Sequence, residues 1–131
     1  NLIQDHLFVG IFPALQEAGI AALLDPKSEE AVAQLNETYD SRRDAFVQAA
    51  AKIGWQAFPS RGSFYAWMPV PEGYTSESFA DLLLEKAHVA VAPGKGFGPA
   101  GDAYVRIGLL VEPERLVEAV DRIANLHLFN N

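Results

Sequence analysis

Two hydrophobic periods run along this chain of 131 residues, and the switches between them mark out its elements. Over residues 12–24, Phe12, Leu15, Gly19, Ala22 and Leu23 recur at helical spacing, with Pro13 in the first turn and Asp25-Pro26 as the stop. That pattern predicts a short packing helix. From Ser28 onward the apolar positions are Val32, Leu35, Tyr39, Phe46, Ala49 and Ile53. Ser28 reads as an N-cap, Glu29 and Glu30 suit the positive end of a helix, and Gly54 reads as the residue that ends it. A helix of about 25 residues spans on the order of 37 Å, long for one small domain and natural for an element that serves two.

The period then falls to two. Residues 55–59 and 63–70 read as strands joined by a hairpin-type turn at Ser60-Arg61-Gly62. In the second run Phe64, Ala66 and Met68 alternate with Tyr65 and Trp67, so both faces are apolar and a central, doubly covered strand is expected. Its aromatic residues are read first as core. A helix follows from a cap at Thr75 or Ser76 to His88, with Phe79, Leu82, Leu83, Lys86 and Ala87 on one face. Next come a strand at 89–92, a glycine-rich loop at 93–101 and a strand at 104–110. The last helix opens on Glu112-Pro113-Glu114 and buries Leu116, Val120, Ile123 and His127. The order α, α, β, β, α, β, β, α predicts an α/β (α+β) sandwich whose small sheet has three to four mostly antiparallel or mixed strands packed with helices.

Composition narrows the classes. Half of the residues are apolar, enough for a core, and there is no cysteine, which removes disulfides and thiolate metal sites and leans towards a cytoplasmic protein. A formal charge of −7 with no basic block argues against a nucleic-acid partner. No apolar run approaches the roughly 20 residues of a membrane span, so no membrane role is expected. The histidines at 6, 88 and 127 stand too far apart for a local metal motif. The chain begins at Asn1 rather than methionine, which suggests a segment of something longer.

One residue breaks the apolar pattern. Arg106 stands inside the β-prone run at 104–110, where Tyr104, Arg106, Gly108 and Leu110 share one face and Val105, Ile107 and Leu109 the other. A guanidinium keeps its proton and pairs through a planar fork with a carboxylate or phosphate, so Arg106 is the candidate anion-binding residue. Gly108 would leave room beside it. The competing readings are an internal salt bridge or a solvated edge strand. The loop Gly94-Lys-Gly-Phe-Gly is a poor phosphate cradle, since it leads to a strand rather than a helix N-terminus, and Lys95 reads as a solvated charge.

Three motifs in order carry a resemblance: Gly62-Ser-Phe-Tyr-Ala-Trp, Pro93-Gly-Lys-Gly-Phe-Gly and Tyr104-Val-Arg-Ile. Together they resemble the C-terminal part of the class I/II aminotransferases, the fold-type I pyridoxal-phosphate enzymes, over nearly the whole chain. The run from Phe79 to Gly94 looks most like the bacterial methionine-salvage and diaminopimelate-type branch. The resemblance implies that residues 1–131 are the small C-terminal domain of a longer enzyme. Residues 1–27 would be a linker and interface segment with one helix, and 28–131 an αββαββα core. Arg106 would bind the substrate α-carboxylate, with Phe64 and Tyr65 beside it; the glycine loop would close over the substrate, with Phe97 packing.

The resemblance also implies pyridoxal phosphate, a homodimer, and amino acid and 2-oxo acid substrates for the full-length parent. Its Schiff-base lysine would precede this segment. None of Lys27, Lys52, Lys86 and Lys95 stands in the family's Ser-x-x-Lys setting, so no catalytic or cofactor-binding residue and no bound cofactor are expected in the chain itself. The rivals are a free-standing αβ module that binds a small ligand without chemistry, and an interaction domain in which Arg106 forms an internal salt bridge.

Overall fold

The computed structural model describes residues 10–58 and 60–129. It divides into two compact units, Asn1–Glu37 and Thr38–Asn131, and one long helix contributes to both. The first nine residues of the segment expected to be a linker and interface, His6 among them, lie outside the described residues.

In the first unit, helix α1 (Pro13–Leu24) begins with proline at its first position, where a missing N–H costs nothing. Gln16 and Glu17 are its only strongly polar residues, and none of its residues is buried. A packing helix with one covered stripe was expected; the observed helix is apolar nearly all round and exposes Leu15, Ile20, Leu23 and Leu24. Asp25 organises the elbow that follows. Its carboxylate accepts from the Lys27 amide at 2.8 Å and its carbonyl from the Ser28 amide at 3.0 Å. Ser28 corrects the expected cap: it is the first residue of α2 (Ser28–Lys52), and its hydroxyl donates back to the Ala22 carbonyl instead of accepting from the new helix.

The second unit holds the sheet. Three strands, β1 (Tyr65–Pro69), β2 (Ala92–Pro93) and β3 (Tyr104–Gly108), lie in the order β1-β3-β2, all antiparallel. The antiparallel three-stranded α/β architecture agrees with the expected fold class. The central position differs: β3, not the aromatic strand β1, has neighbours on both edges. Nor is β1 covered on both faces. Ala66 and Met68 are buried, whereas Tyr65 and Trp67 are only half-buried.

Residues 55–58 form no ladder, so the expected hairpin is not observed. The reason is Trp55. Its ring is buried among Phe46, Phe79 and Phe129, and its indole N–H donates to the Pro69 carbonyl at 2.8 Å. An aromatic residue whose polar end finds a carbonyl this way docks as a side chain, without needing strand pairing.

Helix α3 (Ser76–Leu82) starts from a capping box in which Thr75, not Ser76, is the cap: Thr75 Oγ1 accepts from the Ser78 amide and Ser78 Oγ from the Thr75 amide. It widens into a π turn (Leu83–Ala87) and ends on His88 in the left-handed conformation, φ 56°. Helix α4 (Pro113–Ala124) carries proline at its start, as expected, and buries Leu116, Val120 and Ile123; His127, expected in the same stripe, is exposed. These residues meet Phe46, Ala49, Ala50, Phe79 and Leu83 against one face of the sheet, where Val105, Ile107 and Leu109 sit. Arg42 of α2, itself mostly buried, bonds Glu112 at the foot of α4 at 2.6 Å. Among the described residues of the second unit, this helical layer covers one side of the strands. The other side is left to the residues below.

Candidate functional site

The strand register assembles the open face. Arg106 lies opposite Trp67 on β1 and Ala92 on β2, while Tyr65 lies opposite Gly108 and Pro69 opposite Tyr104. The register and period-two geometry together put Tyr65, Trp67, Tyr104 and Arg106 on one surface; the alternation in the sequence had placed only Tyr104 with Arg106, and separately Tyr65 with Trp67.

The guanidinium of Arg106 is held by aromatic rings. Its Cζ is 4.0 Å from the centroid of Tyr65 and 4.1 Å from that of Phe97, both at cation–π distance. Trp67 packs on Phe97 and Tyr104 edge to face, at 5.6 and 6.3 Å. Phe64 lies one ring away: it touches Tyr65 at 4.5 Å and Tyr39 at 5.7 Å rather than Arg106. Of the two expected neighbours, Tyr65 thus meets the guanidinium directly and Phe64 supports it from behind.

Among the described residues, none is a counter-ion for Arg106. Arg42, Arg43, Arg115 and Arg122 each pair with an aspartate or glutamate, and Arg61 is exposed. Among the described residues, Arg106 alone of the six arginines is half-buried without an acidic partner or a side-chain hydrogen bond. Its Nε is buried and unpartnered. The same holds for Arg42 Nε, so the distinguishing feature is the missing acid. The internal-salt-bridge reading finds no support in this geometry. A positive charge withdrawn from water without a partner is costly, and a carboxylate on its free terminal nitrogens would offset that cost.

The expected space beside Gly108 is filled from within the chain. A Cβ there would come within 3.3 Å of Leu110 and 3.9 Å of the Tyr65 ring. The tighter of these contacts is with the Leu110 side chain, and the Tyr65 ring lies at ordinary van der Waals distance, so the space beside the guanidinium is bordered by the chain's own side chains.

The loop between β2 and β3 is built as two short 3₁₀ turns, Gly94–Phe97 and Pro99–Ala103. A Cβ on Gly94 would collide with the carbonyl oxygens of Gly101 and Tyr104, and a Cβ on Gly101 with the carbonyl of Gly94. Only glycine allows the two turns to press together in this way. The loop is also pinned to the start of α3. The buried Ser76 donates its hydroxyl to Asp102 at 2.8 Å and accepts from the Lys95 amide at 3.3 Å. Lys95, expected to be a free solvated charge, is exposed but bonds Glu77 at 2.7 Å. That hydrogen bond, helped by the carboxylate's charge, holds its ammonium pKa above the usual value.

Sequence reasoning missed Phe97 as a neighbour of the guanidinium and the Ser76–Asp102 link altogether. Only the Pro-Gly-x-x-Phe-Gly spacing hinted at the former. Among the described residues no cluster of histidine, aspartate or glutamate could hold a metal, and no helix is long and apolar enough to cross a membrane.

Comparison with known proteins gives a consistent pattern. The family model described as aminotransferase class I and II matches residues 2–123. The chain is 57% identical over 129 residues to the L-glutamine--4-(methylsulfanyl)-2-oxobutanoate aminotransferase of Bacillus subtilis (strain 168), covering 98% of the chain and 32% of that protein. It is 44% identical to the LL-diaminopimelate aminotransferase of Moorella thermoacetica, covering 92% of the chain and 30% of that enzyme. Among solved structures, apo-BacF from Bacillus subtilis superposes with a TM-score of 0.88 at 41% identity, over 100% of this chain and 34% of that one. The chain spans about a third of the length of the relatives it matches.

Proposed function

The chain belongs to the class I and II aminotransferases, and from that premise we propose that it is the C-terminal small domain of a longer enzyme, in which Arg106 binds the α-carboxylate of the substrate. The enzyme would move an amino group between an amino acid and a 2-oxo acid. The observation that carries this reading is a half-buried guanidinium, flanked by aromatic rings and, among the described residues, without a counter-ion.

The cofactor implied by the family, pyridoxal phosphate, would supply the amine chemistry, and the residues described here do not fit the task of holding it. All four lysines are exposed, and the pKa of Lys95 is raised, whereas a nucleophilic amine needs a depressed one. The domain's part is positional. Two charge-assisted hydrogen bonds from one planar fork fix both the distance and the plane of a carboxylate, which holds the α-carbon in a defined place for groups on the rest of the enzyme. Loop residues Gly94–Phe97 border the same face through Phe97.

The relatives' names suggest the first substrates to try: L-glutamine with 4-(methylsulfanyl)-2-oxobutanoate, or an LL-diaminopimelate pair. The test is made on the longer enzyme that carries this segment. Transamination of L-methionine is compared with that of the corresponding amine lacking the carboxylate, in the unsubstituted enzyme and in Arg106→Ala. The expected result is a large loss with the amino acid and little difference with the amine. Equal loss with both would overturn the carboxylate role, and no aminotransfer with any amino acid would overturn the proposed activity.

A further inference from the structure

We propose that Phe97 is a positioning residue: from the glycine loop it holds one side of the Arg106 guanidinium while Tyr65 holds the other, so that the locked loop sets the direction in which the arginine presents its fork. The inference rests on the carboxylate reading of Arg106. Three observations carry it.

The first is the contact itself. Both rings lie about equally close to Cζ, at 4.0 and 4.1 Å, yet Tyr65 and Phe97 make no ring contact with each other among the described residues. They therefore meet the guanidinium from different sides. Aromatic rings attract the faces of a guanidinium, whereas its hydrogen bonds leave in its plane, so the clamp leaves the N–H edge free. With Nε enclosed, that edge belongs to the terminal nitrogens.

The second is the exposure of Phe97, which is 52% accessible. A phenylalanine that existed only to fill the core would be covered, as Phe79 is. Its cation–π and ring contacts among the described residues are with Arg106 and Trp67.

The third is the fixation of the segment that carries it. Gly94 and Gly101 interlock, Gly98 adopts φ +125°, and Ser76 ties both Asp102 and the Lys95 amide to the start of α3. A long arginine side chain has many rotamers in solution, and restricting them before the ligand arrives lowers the entropy cost of binding. The sequence spacing from Phe97 to Arg106 conceals this: nine positions separate them, and the fold brings them into contact.

The experiment uses the longer enzyme that carries this segment, labelled with ¹⁵N, and reads the Arg106 Nε–H resonance, identified by its loss in Arg106→Lys. Acetate is the carboxylate probe, and sodium chloride is the control for ionic strength. Ring currents from both aromatics should displace this resonance upfield of the other arginines in the unsubstituted protein, and acetate bound at the terminal nitrogens should move it measurably from that position. In Phe97→Leu, which keeps an apolar side chain, the resonance should move back downfield and acetate affinity fall roughly threefold to tenfold. Phe97→Tyr should restore both. An unmoved resonance and unchanged acetate affinity in Phe97→Leu overturn the positioning role alone. A resonance that ignores acetate in the unsubstituted protein overturns the carboxylate reading and this role with it. Loss of the core amide pattern in Phe97→Leu would also overturn the proposal, by showing that the ring holds the fold.

Discussion

The two faces of β3 have the same backbone and opposite duties. Val105 and Ile107 point into a layer of helices and are almost fully buried; Tyr104 and Arg106, interleaved with them, lie half-open among rings. On the first face apolar groups are packed by apolar neighbours, which stabilises the fold in proportion to the area withdrawn from water. On the second a charge is withdrawn without an acid beside it, which costs stability unless a ligand supplies one. Among the described residues, the half-buried guanidinium without an acid beside it thus lies on one face of one strand, which is where a binding site is expected.

Mutation should separate the two faces most sharply on the core side. Phe79, fully buried against Trp55 and Phe129, should lose about 3–5 kcal/mol on replacement by alanine, enough to unfold much of the sample, as chemical denaturation would report. A loss below about 1 kcal/mol would mean that the helical layer is far looser than described.

Arg106→Ala should show the reverse. In the longer enzyme it should reduce kcat/KM by on the order of 10²–10⁴, corresponding to about 3–5 kcal/mol of lost transition-state binding, while the denaturation midpoint changes little. Lysine there should restore little, because a point charge cannot reproduce the fork.

Between these extremes stands the loop. Gly101→Ala forces a Cβ onto the Gly94 backbone and should cost about 1–3 kcal/mol while also weakening carboxylate binding. Ser76→Ala removes a buried hydroxyl that serves both Asp102 and Lys95, and a loss of about 1–2 kcal/mol is expected. If either change altered stability without altering acetate affinity, the loop would be a scaffold with no hold on Arg106.

The smallest effects belong to charges away from both faces. Hydrogen bonding from Arg122, with help from Arg115, holds the Glu118 carboxyl below its usual 4.5. A depressed acid contributes its stability above that value and loses it as pH falls through the folded pKa. Lys95, raised by Glu77, contributes below 10.5 and loses that contribution as pH rises through its folded pKa. Both are exposed pairs, so stability should stay nearly flat between these limits. NMR titration should find Glu118 protonating at lower pH than an isolated glutamate, and Arg122→Gln should move it back upward.

Much of this was legible from residue order. Helical spacing marked α1, α2, α3 and α4, because a 3.6-residue period follows from local geometry that each segment carries by itself. Proline at the starts of α1 and α4 placed their first turns for the same reason, and the start of α3 was narrowed to a cap at Thr75 or Ser76. Arg106 could be singled out because a lone charge in an apolar strand contradicts its surroundings, and period two assigned it a face with Tyr104. What residue order could not supply was any relation across distance. Trp55 looked like part of a strand until the fold offered it Phe46, Phe79 and the Pro69 carbonyl. Whether β1 was central or at an edge depended on which strand lay beside β3. Gly108 promised an empty space that Tyr65 and Leu110 occupy, because its register partner on β1 is invisible from either strand alone. Phe97 acquires its relation to Arg106 only when two interlocking glycines fold the loop back over the sheet. Local periodicity comes from covalent geometry and is written in neighbouring residues, whereas the clamp around the guanidinium comes from packing between segments, which only the tertiary structure decides.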